Sequence, residues 1–202
     1  MITGPSLAHL ALLLGLTLGG SVSMAAETAS EASWGLEQLM QSLARVKSSR
    51  AKFVERKHLR ILNAPLELSG TLAYTAPGHL EKHTLRPKPE TLVLDGDTLT
   101  VDDKTKNRRR TLTLQQYPVV WALVESMRST LAGDLASLNR FYRVAFDGSE
   151  REWRLTLEPR GLALQRLVSY IRISGSRSSL RQIEVFEAEG DRSVMTITEE
   201  RS

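Results

Sequence analysis

Apolar and polar residues follow two different periods along the chain, and each period predicts one type of element. The first helical block carries apolar residues three and four positions apart: Leu36, Leu39, Met40, Leu43 and Val46. This spacing predicts an amphipathic helix of about 14 residues, capped by Ser33 and ending near Lys47.

From Arg50 onward the period changes to two, which is typical of a half-buried β-strand. The clearest case lies between Pro65 and Thr75, where apolar residues and Gly70 alternate with polar ones. Asp95-Gly96-Asp97 adds a tight hairpin signal. The other segments with strand patterns are 50–55, 79–86, 91–94, 98–101, 111–114, 140–147, 152–158, 167–174, 181–188 and 192–199.

After Pro118 the helical period returns, with a break at Gly133 and a second short helix through Leu135 and Leu138. The apolar stripe of this helix pair has two interpretations. It packs on the core, which the pattern alone favours, or it faces the sheet across a cavity that accepts an acyl chain. About ten or eleven short strands in hairpin succession favour one strongly curved antiparallel sheet wrapped round helices, so the predicted fold class is mainly β with α.

The N-terminus resembles an export signal. An apolar run from Leu7 to Leu18 is too short to span a bilayer, and Ser23-Met24-Ala25 provides small residues for cleavage. We therefore expect a secretory signal peptide over residues 1–25 and one domain over residues 26–202. Because no Lys or Arg precedes the run, an uncleaved anchor is the alternative. No cysteine follows it, so a lipoprotein-type anchor is not expected.

Composition and motifs mainly exclude classes of function. The net charge of +4 is modest and aromatic residues make up 5%, so nucleic-acid binding is not expected. The familiar nucleophile, phosphate-loop, dinucleotide and zinc-protease motifs are missing, and cysteine is absent. We expect no enzyme activity, no cofactor and no metal. His79, Glu81 and His83 share one strand face; a metal cluster is conceivable there, but the spacing favours a solvated face.

One concentrated charge run extends from Lys104 to Arg110. It is interpreted either as a contact for anionic head groups or an acidic partner, or as a solvated hairpin loop, which the preceding Asp102-Asp103 pair favours.

The succession of short motifs resembles a known family. The motifs are Ala51-x-Phe53-x-Glu55, Gly70-x-Leu72-x-Tyr74, Ala76-Pro77-Gly78-His79-Leu80 and Leu92-Val93-Leu94-Asp95-Gly96-Asp97-Thr98-Leu99, followed by Pro118 and a helical insert. In this order they are similar to the LolA-like periplasmic carriers of outer-membrane lipoproteins.

The resemblance implies a half-open antiparallel β-barrel lidded by about three helices. It also implies a monomeric periplasmic carrier that takes acylated protein or lipid cargo from an inner-membrane exporter to an outer-membrane acceptor. The implied lipid cavity consists of Phe53, Leu68, Leu72, Tyr74, Leu80 and Leu92. The implied lid residues are Leu39, Leu43, Val120, Leu123, Val124 and Met127.

Four positions depart from the family pattern. Ala76 stands where the carriers have an arginine that ties the lid, and Glu55 stands where they have a glutamine. Lys82 and Thr84 replace bulky apolar residues. The lid mechanism is therefore not transferable, and the cargo is open between lipoproteins, glycolipids and other acylated molecules. The alternative function is an adaptor domain of the same fold that senses lipid or envelope stress by binding a protein partner.

Overall fold

The computed structural model describes residues 34–200, and the predicted signal peptide lies outside them. Within this range the chain forms four α-helices and eleven strands. The helices are α1 (Leu36–Ala44), α2 (Pro118–Ala132), α3 (Leu135–Phe141) and α4 (Leu162–Gln165). The strands are β1 (Ser48–His58), β2 (Leu66–Thr75), β3 (His79–Arg86), β4 (Glu90–Asp95), β5 (Thr98–Asp103), β6 (Arg108–Thr113), β7 (Tyr142–Gly148), β8 (Trp153–Pro159), β9 (Val168–Ser176), β10 (Ser179–Glu187) and β11 (Arg192–Glu199).

All eleven described strands belong to one antiparallel sheet with the order β6-β5-β4-β3-β2-β1-β11-β10-β9-β8-β7. Strands that follow one another in sequence pair with one another, except that β6 and β7 lie at opposite edges; β1 pairs with β11 as well as with β2. The sheet is curved and does not close, so β6 and β7 form its two edges. The predicted fold class, a curved antiparallel sheet with helices, is confirmed.

Several predicted boundaries were wrong. Helix α1 begins at Leu36 and has 9 residues, because Gly35 occupies the N-cap and its N–H donates to the Gln38 side chain at 3.1 Å. The supposed basic loop is partly a strand, since β6 begins at Arg108. The short helix α4 was not predicted; its four residues are too few to show a helical period.

The predicted break between α2 and α3 is confirmed, and it has a steric cause. Gly133 has φ +67°, a left-handed conformation that ends α2. A Cβ at this position would lie 2.2 Å from the backbone oxygen of Met40, so a side chain would push α1 away.

The hydrophobic core fills only one half of the curved sheet. Helix α1 contributes Leu39, Met40 and Leu43 to it. The sheet contributes fully buried residues of β7, β8 and β9: Tyr142, Trp153, Leu155, Leu157, Ile171 and Ile173. The concave face of the other half, β1 to β5, contributes no buried residue to this core.

Candidate functional site: an apolar cavity under the helices

A cavity of about 250 Å³ lies between the concave face of β1–β5, strands β10 and β11, and helices α1 and α2. Small-molecule sites occupy roughly 300–1,000 Å³, so its size suits a slender ligand. Its apolar lining is Leu43, Val46, Ala51, Leu72, Ala73, Tyr74, Leu80, Leu92, Leu94, Leu99, Val124, Met127, Leu131, Leu180, Ile183, Met195 and Ile197. The polar residues of the lining are Ser49, Glu81, Lys82, Ser178 and Glu199.

The structure brings most, but not all, of the predicted site residues to this cavity. The sheet residues that line it are Leu72, Tyr74, Leu80 and Leu92, and the lid residues that line it are Leu43, Val124 and Met127. Phe53 and Leu68 lie on the same strands but not on the wall. Leu39 and Leu123 pack in the core instead, and Val120 is half-buried away from the lining.

Sequence reasoning missed the wall formed by β10 and β11. Phe53 is directly opposite Ile197 and Glu55 is opposite Met195, which places the C-terminal strand beside β1. The alternation in 192–199 predicted a strand there but gave no signal about its neighbour, because the two strands lie far apart in sequence.

Helix α2 buries its small and polar residues and leaves its large apolar ones half-exposed. Its buried residues are Ala122, Glu125, Ser126, Ser129 and Thr130. The hydroxyls of Ser126 and Thr130 donate to backbone oxygens of their own helix at 2.6 Å, so these side chains need no other partner. The apolar side chains of α2 are therefore available to the cavity, and we call α1 and α2 together the lid.

Two of the four departures from the family pattern meet in space. The Lys82 ammonium donates to a Glu55 carboxylate oxygen at 2.6 Å, and it lies 4.9 Å from the centre of the Phe53 ring. Lys82 therefore covers the Phe53 ring, and Lys82 instead of Phe53 lines the cavity at this point. A Cβ at Gly70 would lie 1.9 Å from the backbone oxygen of His83 and 3.0 Å from the same ring, so neither β3 nor the ring leaves room for a side chain there.

Glu55 carries its charge inside this arrangement. Burial on its own would raise the pKa of Glu55, but Lys82, the Ser193 hydroxyl and Lys57 together hold that pKa below its ordinary value of 4.5. Ser193 donates at 2.7 Å, and the Lys57 ammonium lies 3.6 Å away. The carboxylate is thus ionised at neutral pH.

Tyr74 lines the cavity, and its hydroxyl is buried. The side chain is 4% exposed, and its hydroxyl has no hydrogen-bond partner among residues 34–200. Burial raises the pKa of this phenol, so the hydroxyl keeps its proton and remains a donor. A buried hydroxyl without a partner is costly to the fold.

An arginine ties the lid to the sheet from the lid side. Arg128 of α2 donates to the backbone oxygen of Gly96 at 3.0 Å and lies 3.7 Å from Asp97, in the β4–β5 turn. On its own helix it contacts the buried carboxylate of Glu125. Its Cδ would lie 2.7 Å from a Cβ at Gly78, so Arg128 also covers the turn that contains Ala76.

His79, Glu81 and His83 alternate along β3 with Leu80 and Lys82, and Glu81 also borders the cavity. Glu81 is hydrogen-bonded to both histidines, at 2.9 and 2.7 Å. The Glu81 hydrogen bond raises the pKa of His79, and the two histidines lower that of Glu81. In the described part of the chain, no group of three or more His, Cys, Asp or Glu side chains is placed to hold a metal ion.

The fold and the cavity define a class: open antiparallel half-barrels that enclose an apolar space beneath a helical lid. Within residues 34–200, no helix combines the length and apolar character needed to cross a membrane. A family model for LolA-like outer membrane lipoprotein carrier proteins matches residues 28–198. The chain belongs to this family, as the motif resemblance predicted.

Solved structures with a similar course of the chain share little sequence with it. A LolA superfamily protein from Nitrosomonas europaea is 10% identical, with a TM-score of 0.45 over 83% of this chain and 94% of that one. The Pseudomonas aeruginosa MucA/MucB complex is 13% identical, with a TM-score of 0.45 over 83% and 58%. LprF from Mycobacterium bovis is 9% identical, with a TM-score of 0.34 over 81% and 91%. A search of curated proteins finds no match.

Proposed function

We propose that this protein is a non-enzymatic periplasmic carrier that shelters the acyl chains of lipoproteins or other lipidated cargo during transit toward the outer membrane. The observation that carries the proposal is the cavity, because its wall is mainly apolar on the sheet side and apolar on the lid side. Membership of the LolA-like carrier family supports the same function.

Free energy favours such a site for acyl chains. Burying a methylene group is worth about 0.8 kcal/mol, so an acyl chain in water gains by entering the cavity. Apolar contacts have no preferred direction, so the acyl chain can slide in and out of the cavity when the lid moves. A carrier needs both properties, because it must release its cargo to an acceptor.

The test is titration of the purified protein with a fluorescent fatty-acyl probe. We expect saturable binding that is lost in Leu80→Glu and Met127→Glu, which place a carboxylate on the sheet wall and on the lid wall. The matched controls are Val54→Glu and Leu162→Glu, whose positions are 39% and 74% exposed and lie outside the lining. Equal binding by all four variants would contradict the proposal. Pull-down of one protein partner by a lipid-free form that binds no probe would favour the sensing adaptor instead.

A further inference from the structure

Lys82 is the one lysine or arginine among the described residues that line the cavity. The two carboxylates of the lining already have hydrogen-bond partners: Glu81 is bonded to His79 and His83, and Glu199 accepts from the Ser179 hydroxyl.

The register neighbours of Lys82 on the concave face are Leu72 on β2 and Leu92 on β4, and both line the cavity. The Lys82 side chain is 22% exposed, whereas that of Glu55 is 7% exposed. The ammonium therefore lies between the buried carboxylate and the open space, and a ligand in the cavity meets the cation first.

Glu55 is shared by two lysines, and only one of them borders the cavity. In the described part of the chain, Glu55 faces two ammonium groups, those of Lys82 at 2.6 Å and Lys57 at 3.6 Å. Lys57 is not among the lining residues, so Lys82 is the cation that a ligand in the cavity meets. Lysine has three N–H donors, and the hydrogen bond to Glu55 uses one of those on Lys82.

A cation with spare donors beside an apolar space favours one kind of ligand. Charge-assisted hydrogen bonds from an ammonium to a carboxylate or phosphate are about twice as strong as neutral ones. The low dielectric of an apolar wall strengthens them further. An ammonium head group, in contrast, would be repelled, and a hydroxyl head group would gain only a neutral acceptor contact.

Building on the proposed carrier function, we propose that Lys82 selects acyl ligands whose polar end is an anionic oxygen group, a carboxylate or a phosphate. The acyl chain lies along the leucine-rich wall, and the head group accepts hydrogen bonds from the ammonium that Glu55 holds in place. Lys82 is thus a specificity-determining residue of the cavity.

The experiment measures displacement of a fluorescent acyl probe by four ligands with the same chain: dodecanoate, dodecyl phosphate, dodecanol and dodecylamine. We expect at least one of the two anionic ligands to bind about tenfold more tightly than dodecanol, and dodecylamine to bind most weakly. The tighter of the two anions identifies the head group.

Three variants complete the design. Glu55→Gln/Lys82→Met removes both charges together, so that no unpaired carboxylate is left buried, and we expect the preference for anions to disappear while dodecanol still binds. Lys82→Arg keeps the charge and should keep the preference. Lys52→Met is the control, because the Lys52 side chain is 71% exposed on the other face of β1.

The outcomes separate the two proposals. Equal affinity of the wild type for all four ligands, or an unchanged preference in the double variant, overturns the role of Lys82 and leaves the carrier function standing. Failure of every ligand and of the probe to bind overturns both.

Discussion

Two buried tyrosine hydroxyls have opposite effects on the stability of the fold, because one has a hydrogen-bond partner and the other has none. The Tyr142 hydroxyl donates to the backbone oxygen of Ala122 at 2.9 Å, whereas the Tyr74 hydroxyl has no partner in the described residues. Both side chains are buried. The difference identifies Tyr74 as a residue whose polar atom is retained at a cost to the unliganded fold.

We therefore predict opposite signs for the same substitution at these two positions. Tyr74→Phe removes an unsatisfied hydroxyl and should raise the free energy of unfolding by up to about 1 kcal/mol. Tyr142→Phe removes a satisfied hydrogen bond and should lower it by about 1 kcal/mol. Urea denaturation measures both. A loss of stability in Tyr74→Phe as large as that in Tyr142→Phe would show that the Tyr74 hydroxyl is already satisfied.

The Glu55–Lys82 pair makes stability depend on pH. Because the pKa of Glu55 in the folded protein is below 4.5, the pair stabilises the fold at neutral pH, and this contribution is lost as the pH falls through the lowered pKa. Between about pH 5 and pH 3, the wild type should lose more stability than Glu55→Gln/Lys82→Met. Parallel denaturation curves at several pH values test this.

Single variants of the same pair supply the comparison. Lys82→Met leaves the buried carboxylate with Lys57 and Ser193 only, and it should cost about 3 kcal/mol at neutral pH, more than the double variant does. A single variant as stable as the double variant would show that the two groups are not coupled.

At the scale of elements, the lid is held by a contact that begins on the helix. The family's arginine before the β2–β3 turn is Ala76 here, and Arg128 of α2 reaches the adjoining β4–β5 turn instead. In this chain the arginine that connects lid and sheet belongs to the lid helix and not to the sheet. The alanine at residue 76 therefore does not leave the lid unattached.

Arg128→Gln should loosen the lid. The substitution removes the contacts to Gly96 and Asp97 and leaves Glu125 with Ser129 as its hydrogen-bond donor. We expect the acyl probe to dissociate about tenfold faster, and amide hydrogens of α2 to exchange faster. Arg143→Gln is the matched control, because Arg143 also pairs with a glutamate, but its side chain is 74% exposed on β7. An unchanged dissociation rate would contradict a holding role for Arg128.

Much of the element order could be predicted from the sequence, because burial of one face dictates it. The alternation from Leu66 to Tyr74 predicted β2, and Gly133 predicted the end of α2. The side to which each lid residue turns could not be predicted. Leu123 and Val124 share one apolar stripe, yet Leu123 packs on the core and Val124 lines the cavity.

The Glu55–Lys82 pair was equally beyond sequence reasoning. Each residue could be identified as a departure from the family pattern, but their meeting depends on register. Glu55 lies opposite Leu68, Lys82 lies opposite Leu72, and a bulge between Ser69 and Gly70 shifts the pairing between them. No local pattern in the sequence fixes that geometry.

At the scale of the whole molecule, the curved sheet is divided into a filled half and an open half. The core occupies the concave face of β7 to β9, and the cavity occupies that of β1 to β5. The filled half can maintain the fold while the open half exchanges its contents. On the proposed carrier function, this division would let one chain combine a stable core with a replaceable ligand.

The volume of the cavity predicts how affinity depends on the length of an acyl chain. In a series of saturated fatty acids, each added methylene should lower the Kd about fourfold until the cavity of about 250 Å³ is full. Further methylenes should then change the Kd little, because they remain in water. Displacement of the fluorescent probe measures the series. A Kd that keeps falling without a plateau would indicate binding to an open surface instead of a bounded cavity.

The arginines of β6 have a consequence for how copies of the protein meet one another. Arg108, Arg109 and Arg110 lie on an exposed edge strand, whose unpaired backbone groups would otherwise invite a second molecule to extend the sheet. Antiparallel pairing of two β6 edges would bring six guanidinium groups together, and like charges opposite each other are unfavourable. Replacing the three arginines with threonine should therefore promote concentration-dependent self-association, which sedimentation velocity detects. We therefore expect the arginines of β6 to oppose the association of two copies through this edge.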